Sequence, residues 1–401
     1  MVRAHGKAGL SHLFAGLIAL GLGGMVLFGA EMAVIHLEHA TVFSTASDLF
    51  LLKNQGLAFQ RAAARAPNVF PIYGSSELLV PTVPEKGSNF FRTAPTGFQL
   101  SPVGGGGANS LIMLQKVGAL GSDLHGKKLA ISLSPGWFLT PTPDVSWNGY
   151  KGNFSLMAAS EMVFGSALDF ELKREVASRM LECPSTLEKS PLLEFALTRL
   201  ASGRWLDRAI FCAVWPVGKA QTAVMELQDH FAAFNHIRRN IKTTPQRHPN
   251  ILDWPKLIAR VEAAKTTDWA RGSEPSRLNA QITPGSRDVG FRYGVSVSLG
   301  WIDLELLLRT LARVHARPLL LSMPIAGEFY DHAGISRSAR EDYYTKLRAL
   351  VKRYHFALVE FEAHDEDSAF LLRHQSHLTA KGWIFYNRAL DDFFNERVPR
   401  T

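Results

Sequence analysis

Residues 69–77 read Val69-Phe70-Pro71-Ile72-Tyr73-Gly74-Ser75-Ser76-Glu77. A short apolar run that stops at a glycine and two serines has the signature of a buried strand entering a tight turn. Three further runs have the same character: Lys128 to Ser134, Pro318 to Met323 and Phe356 to Phe361. Helical patterns separate them, from Ala108 to Leu120, Ile302 to His315 and Ser338 to Tyr354, and a last one runs from Thr379 to Asn395. Short apolar strands alternating with helices predict an α/β fold with a mostly parallel sheet covered on both faces. Residues 81–107 read as loop, and residues 155–280 as a helical insertion, with patterns such as Phe170–Leu181 and Ala220–Ile241.

In open parallel sheets the ligand crevice lies beyond the carboxyl ends of the strands. The chain's unusual segments fall there: Gly74–Glu77, Pro135–Phe138, Pro324–Tyr330 and Arg373–Trp383. That coincidence predicts an enzyme.

The 401 residues are 46% hydrophobic and 20% charged, which excludes a disordered chain or a coiled coil. A mean hydropathy near zero excludes many membrane spans. Two cysteines exclude a disulfide scaffold and a cysteine-based zinc fold; Cys183 and Cys212 either pair or remain separate thiols. The net charge of +8 suits an anionic polymer or membrane surface. Lysine and arginine are dispersed, so no nucleic-acid partner is expected.

Residues 8–30, between Lys7 and Glu31, carry no charged side chain. As a helix they extend roughly 35 Å, enough to cross a bilayer core. The run is longer than a signal-peptide core and ends in a poor cleavage site, so an uncleaved anchor is expected. Arg3 and Lys7 precede it, and Glu31, Glu38 and Asp48 follow it. The positive-inside rule then puts the N-terminus in the cytoplasm and the main domain outside. The expected organisation is an anchor over 1–35, a helical stem over 36–66 and an α/β domain over 67–401.

The turn after the first strand exposes a serine hydroxyl near a helix start. A nucleophile there would have helix N–H groups to stabilise an oxyanion. Simple capping by Ser before Glu is the other reading. His377, before the last helix, is the candidate general base. His374 and His377 are three apart, but no cysteine or glutamate stands at ligand spacing, so no metal is expected. No nucleotide-binding loop is visible and no cofactor is expected.

Four segments together carry a family resemblance: Gly74-Ser75-Ser76-Glu77-Leu78, Leu133-Ser134-Pro135-Gly136-Trp137-Phe138, Glu328-Phe329-Tyr330-Asp331-His332-Ala333-Gly334 and His377-Leu378-Thr379-Ala380-Lys381-Gly382-Trp383. In content and order the chain resembles the DltD family, membrane-anchored SGNH-hydrolase-like proteins of teichoic-acid D-alanylation. The resemblance implies an SGNH-hydrolase-like three-layer α/β fold with a helical insertion and one N-terminal transmembrane helix. It implies a Ser-His-Asp site facing outward, and a role in placing D-alanine esters on an anionic cell-envelope polymer. A membrane acyltransferase partner and a D-alanyl carrier system are implied as well.

By analogy with the SGNH Gly-Asp-Ser turn, Ser76 matches the nucleophile and Ser75 the aspartate position. His377 matches the base. Two departures stand out. The family's Asp position, three before the His, is His374 here, so Asp365 and Asp367 are candidates for a substitute acid. The family's Pro-x-Asn-Gly segment is Pro324-Ile325-Ala326-Gly327, without the amide. Gly106, Gly107 and Asn109 are the candidate oxyanion donors in its place. Two other functions fit the same residues: a polysaccharide O-acetyltransferase or esterase, and a non-catalytic anchored scaffold or glycan-binding partner of a membrane acyltransferase.

Overall fold

The computed structural model describes residues 5–47, 56–80, 82–93, 95–139, 143–240, 250–264, 282–372 and 377–397. Five strands, β1 (Val69–Gly74), β2 (Gln99–Gly104), β3 (Lys128–Leu133), β4 (Arg317–Ser322) and β5 (Ala357–Glu360), form one sheet in the order β2-β1-β3-β4-β5. All four pairings are parallel. After β2 the chain crosses β1 to build the other half of the sheet. The order therefore reverses between β1 and β3, and the crevice of a doubly wound sheet opens at such a point.

β2 lies inside the segment read as loop. Ser101, Pro102 and Gly104 interrupt its apolar pattern. Those residues are tolerated because β2 is an edge strand, where a proline costs no central ladder bond. Its register runs Val69↔Gln99 to Gly74↔Gly104. The last pair is very close: a Cβ on Gly104 would lie 2.2 Å from the Gly74 carbonyl oxygen.

Alternation along the strands feeds two cores. Tyr73, Val103, Leu129, Ile131 and Leu320 join one, with helices Ser110–Leu120, Leu156–Phe164, Gly300–Arg313 and Arg337–Lys352. Phe70, Ile72, Leu100, Ala130, Leu319 and Leu321 join the other, with Trp383, Tyr386 and Leu390 of helix Ala380–Phe394. This is the expected three-layer arrangement. Burying a leucine or phenylalanine on either face contributes about 1.5–3 kcal/mol.

The expected insertion is helical where described, through Phe170–Leu181, Pro191–Ser202, Trp205–Asn240 and Trp254–Ala263. Cys183 is buried and Cys212 exposed, and both are free thiols.

Helix His5–Thr45 runs unbroken across the expected boundary between anchor and stem. It is long and apolar enough to cross a membrane, with a mean hydropathy of 2.1 in its most apolar window. Its residues 12–29 are exposed, whereas Val34, Glu38 and Val42 are buried. The later part packs on helix Trp205–Asn240. There both Glu38 carboxylate oxygens lie 3.0 Å from His230 Nδ1. Asp229 next to it accepts the N–H groups of Gly56 and Ala58 at 2.6 and 2.7 Å.

Candidate active site

β1 delivers its last residue, Gly74, to a turn of 3-10 helix, Ser76–Leu78. The turn sorts its side chains sharply. Ser75 and Glu77 are buried, and Ser76 between them is partly exposed. Each buried neighbour has a local task. The Ser75 hydroxyl oxygen accepts the Gly107 N–H at 3.1 Å. Glu77 folds back so that its Oε1 accepts the Ser75 N–H at 2.8 Å. Gly74 permits this: a Cβ there would meet Glu77 Oε1 at 2.2 Å.

Ser76 Oγ lies 2.8 Å from His377 Nε2, across 301 residues of chain. The histidine is held by its own loop. Leu371 and Leu378 form an antiparallel bridge, and the Leu372 N–H donates to the His377 carbonyl at 2.7 Å. Leu378 is fully buried. Thr379, the next residue, caps helix Ala380–Phe394 through the Gly382 N–H at 3.3 Å and ties back to the Ala369 carbonyl at 2.5 Å. Partial burial lowers the pKa of His377 below the ordinary imidazole value. The ring therefore stays neutral at neutral pH, free to take a proton at Nε2.

The structure brings together Ser76, His377, Ser75 and Gly107. It gives the two candidate acids other partners. Asp365 Oδ1 accepts the Tyr344 hydroxyl at 2.5 Å and the Ile325 N–H at 2.9 Å. It thereby pins the Pro324–Ala326 segment beyond β4, and burial pushes its pKa up to about 7. Asp367 lies 2.8 Å from Lys381 Nζ and 3.3 Å from His364 Nδ1. Burial raises its pKa, but the Lys381 ammonium outweighs that and holds it below the usual range. Among the described residues, nothing bonds to His377 Nδ1. His374 lies outside the described residues.

The oxyanion candidates separate too. Asn109 caps helix Ser110–Leu120, its Oδ1 accepting the Ile112 N–H at 3.2 Å. Gly107, at φ +80°, directs its N–H to Ser75. The Gly106 carbonyl is held by Asn153 Nδ2 at 2.8 Å. The N–H groups of Ser76 and Gly106 donate to no acceptor among the described residues. Sequence reasoning missed Glu77 and Asn153. The register between β1 and β2, which sets the glycine loop beside the serine turn, could not be read from a strand taken for a loop.

A family model described as DltD protein matches residues 49–395. The chain is 27% identical over 406 residues to Protein DltD of Bacillus subtilis (strain 168), covering 95% of this chain and 94% of that one. It is 24% identical over 345 residues to Protein DltD of Staphylococcus aureus (strain NCTC 8325 / PS 47), covering 84% and 83%. To Protein DltD of Lacticaseibacillus rhamnosus it is 22% identical over 374 residues, covering 89% and 84%.

Proposed function

The chain belongs to the DltD family, and from that premise we propose that it is a membrane-anchored acyl-transfer enzyme of the cell envelope. Ser76 takes an acyl group, D-alanyl by the family resemblance, and passes it to hydroxyls of an anionic envelope polymer. The observation that carries this reading is the 2.8 Å approach of His377 Nε2 to Ser76 Oγ. A hydroxyl needs such a base to become a nucleophile.

Ser76 Oγ attacks the acyl carbonyl carbon as His377 Nε2 takes its proton. The bond to the donor's sulfur or oxygen breaks, and His377 returns the proton to that leaving group. A polymer hydroxyl then gives its proton to His377 and attacks the ester carbon, and Ser76 regains its proton as the new ester departs. The N–H groups of Ser76 and Gly106, which have no acceptor among the described residues, are the donors for the oxyanion. They replace the side-chain amide that Pro324-Ile325-Ala326-Gly327 lacks.

Two features support an anionic acceptor. The chain carries a net charge of +8. An open groove of about 540 Å³ flanks helix Pro143–Asn153, and Lys151, Lys189, Ser185 and Thr186 line it. The anchor keeps the domain at a membrane, and the basic flank before the span favours an outer location. Activation of the acyl group falls to a carrier system, and delivery to a membrane acyltransferase partner.

The missing amide and the absence of a described carboxylate at His377 favour a second reading, a non-catalytic scaffold for that partner. Incorporation of labelled D-alanine into the envelope separates the two. Cells carrying Ser76→Ala lose incorporation under the enzymatic reading. Wild-type incorporation in those cells would leave only the scaffold.

A further inference from the structure

Glu77 is fully buried directly beneath the nucleophile. Its Oε1 takes the Ser75 N–H at 2.8 Å. Among the described residues nothing bonds to its Oε2 within hydrogen-bond geometry, and the same holds for Ser132 Oγ on β3 and the Tyr386 hydroxyl on helix Ala380–Phe394. Tyr73 pairs with Ile131 across β1 and β3, which sets Ser132 beside the turn; its hydroxyl lowers the pKa of both Glu77 and Tyr386, and the Glu77 charge raises that of Tyr386. Among the described residues, Tyr386 is the titratable side chain that faces Glu77 from the packed elements, and no cation pairs with the carboxyl.

A buried carboxylate without a cation is costly, whereas a neutral carboxylic acid both accepts and donates a hydrogen bond. We propose that Glu77 is a positioning residue that works as a neutral acid: Oε1 holds the Ser75 N–H, and the Oε2 hydroxyl donates to Ser132 on the adjacent strand. The serine turn is thereby clamped to β3, and Ser76 Oγ is aimed at His377. Burial raises the Glu77 pKa to about 7, in keeping with a proton on the carboxyl. Above that value the acid ionises, and an uncompensated charge beneath Ser76 opposes the negative charge that develops there during attack, so the reaction slows. The inference rests on Ser76 being the nucleophile.

The test is the rate at which a fluorophosphonate labels the full-length chain in detergent, resolved into the inactivation rate constant and the reversible binding constant across pH 5.5–9. Wild type should lose rate above about pH 7. Glu77→Gln, whose amide also accepts and donates, should label within about threefold of wild type at pH 6.5 and lose the alkaline decline. Glu77→Ala should lower the inactivation rate constant at least tenfold with little change in the binding constant. Ser132→Ala should act in the same direction, and the Glu77→Gln profile stands as the test if Glu77→Ala does not fold. Full-rate labelling of a folded Glu77→Ala, or a Glu77→Gln that keeps the alkaline decline, overturns the clamp. Unchanged labelling of Ser76→Ala would instead overturn the serine reading on which the clamp depends.

Discussion

At the scale of single residues, two adjacent serines have different surroundings. Sequence alone left Ser75 and Ser76 distinguished only by analogy. The turn separates them physically: the Ser75 hydroxyl is buried against the Gly107 N–H, and the Ser76 hydroxyl meets His377. Ser76→Ala should therefore remove nearly all acyl transfer, roughly 10³-fold or more, as expected for loss of a nucleophile. Ser75→Ala strips an acceptor from the partly buried Gly107 N–H, which costs about 0.5–1.5 kcal/mol. Its activity should fall roughly tenfold, measured with the same transfer assay. The base carries a pH signature. Because burial lowers the His377 pKa, the acid limb of activity should lie below about pH 6.5, the unperturbed value. A limb centred above that value would contradict a desolvated, unassisted imidazole.

At the scale of elements, the central strands were legible because they are short apolar runs ended by glycine, serine or proline. The edge strand β2 was not, since Gln99, Ser101, Pro102 and Gly104 break its apolar run. Its loss from the sequence reading also hid the close contact of Gly74 and Gly104. Gly104→Ala should force β1 and β2 apart. Overpacking of this kind costs about 1–3 kcal/mol, and it should move Gly107 off Ser75. A lowered melting temperature together with slower fluorophosphonate labelling is expected. Asn109 caps helix Ser110–Leu120 through its Oδ1, a role that a loop reading of the preceding glycines did not show. The long N-terminal helix, His5–Thr45, offers a separate test. His230→Ala leaves the buried Glu38 carboxyl without its hydrogen-bond partner, at a cost of about 1–3 kcal/mol. Thermal unfolding of the full chain should begin several degrees earlier, while Ser76 labelling of the folded protein stays unchanged.

At the scale of the whole molecule, two buried carboxyls link stability to pH. Glu77 and Asp365 both have pKa values raised to about 7. Unfolded, they would titrate near 4.3 and 3.9. The folded chain thus holds more protons between those limits, and stability falls as pH rises through that window. Glu77→Gln and Asp365→Asn remove one proton site each. Their melting temperatures, relative to wild type, should rise from about pH 4.5 to pH 7 and level off above it. A constant difference across that range would mean that the buried groups are ionised in the fold. The fold class and the pair of site segments were visible in the chain, because strand ends and loop chemistry are local. The burial that keeps Glu77 beneath Ser76 was not, because it depends on helix Ala380–Phe394 closing over the sheet from the far end of the sequence.

In the proposed reaction Ser76, activated by His377, carries the acyl group. Mass spectrometry of peptides from the full-length protein, after brief exposure to a fluorophosphonate at pH 7.5, tests it most directly. A single adduct is expected on the peptide containing Ser76, present in wild type and absent in both Ser76→Ala and His377→Ala. No adduct on wild type, or one that persists in the His377→Ala protein at full rate, would contradict it.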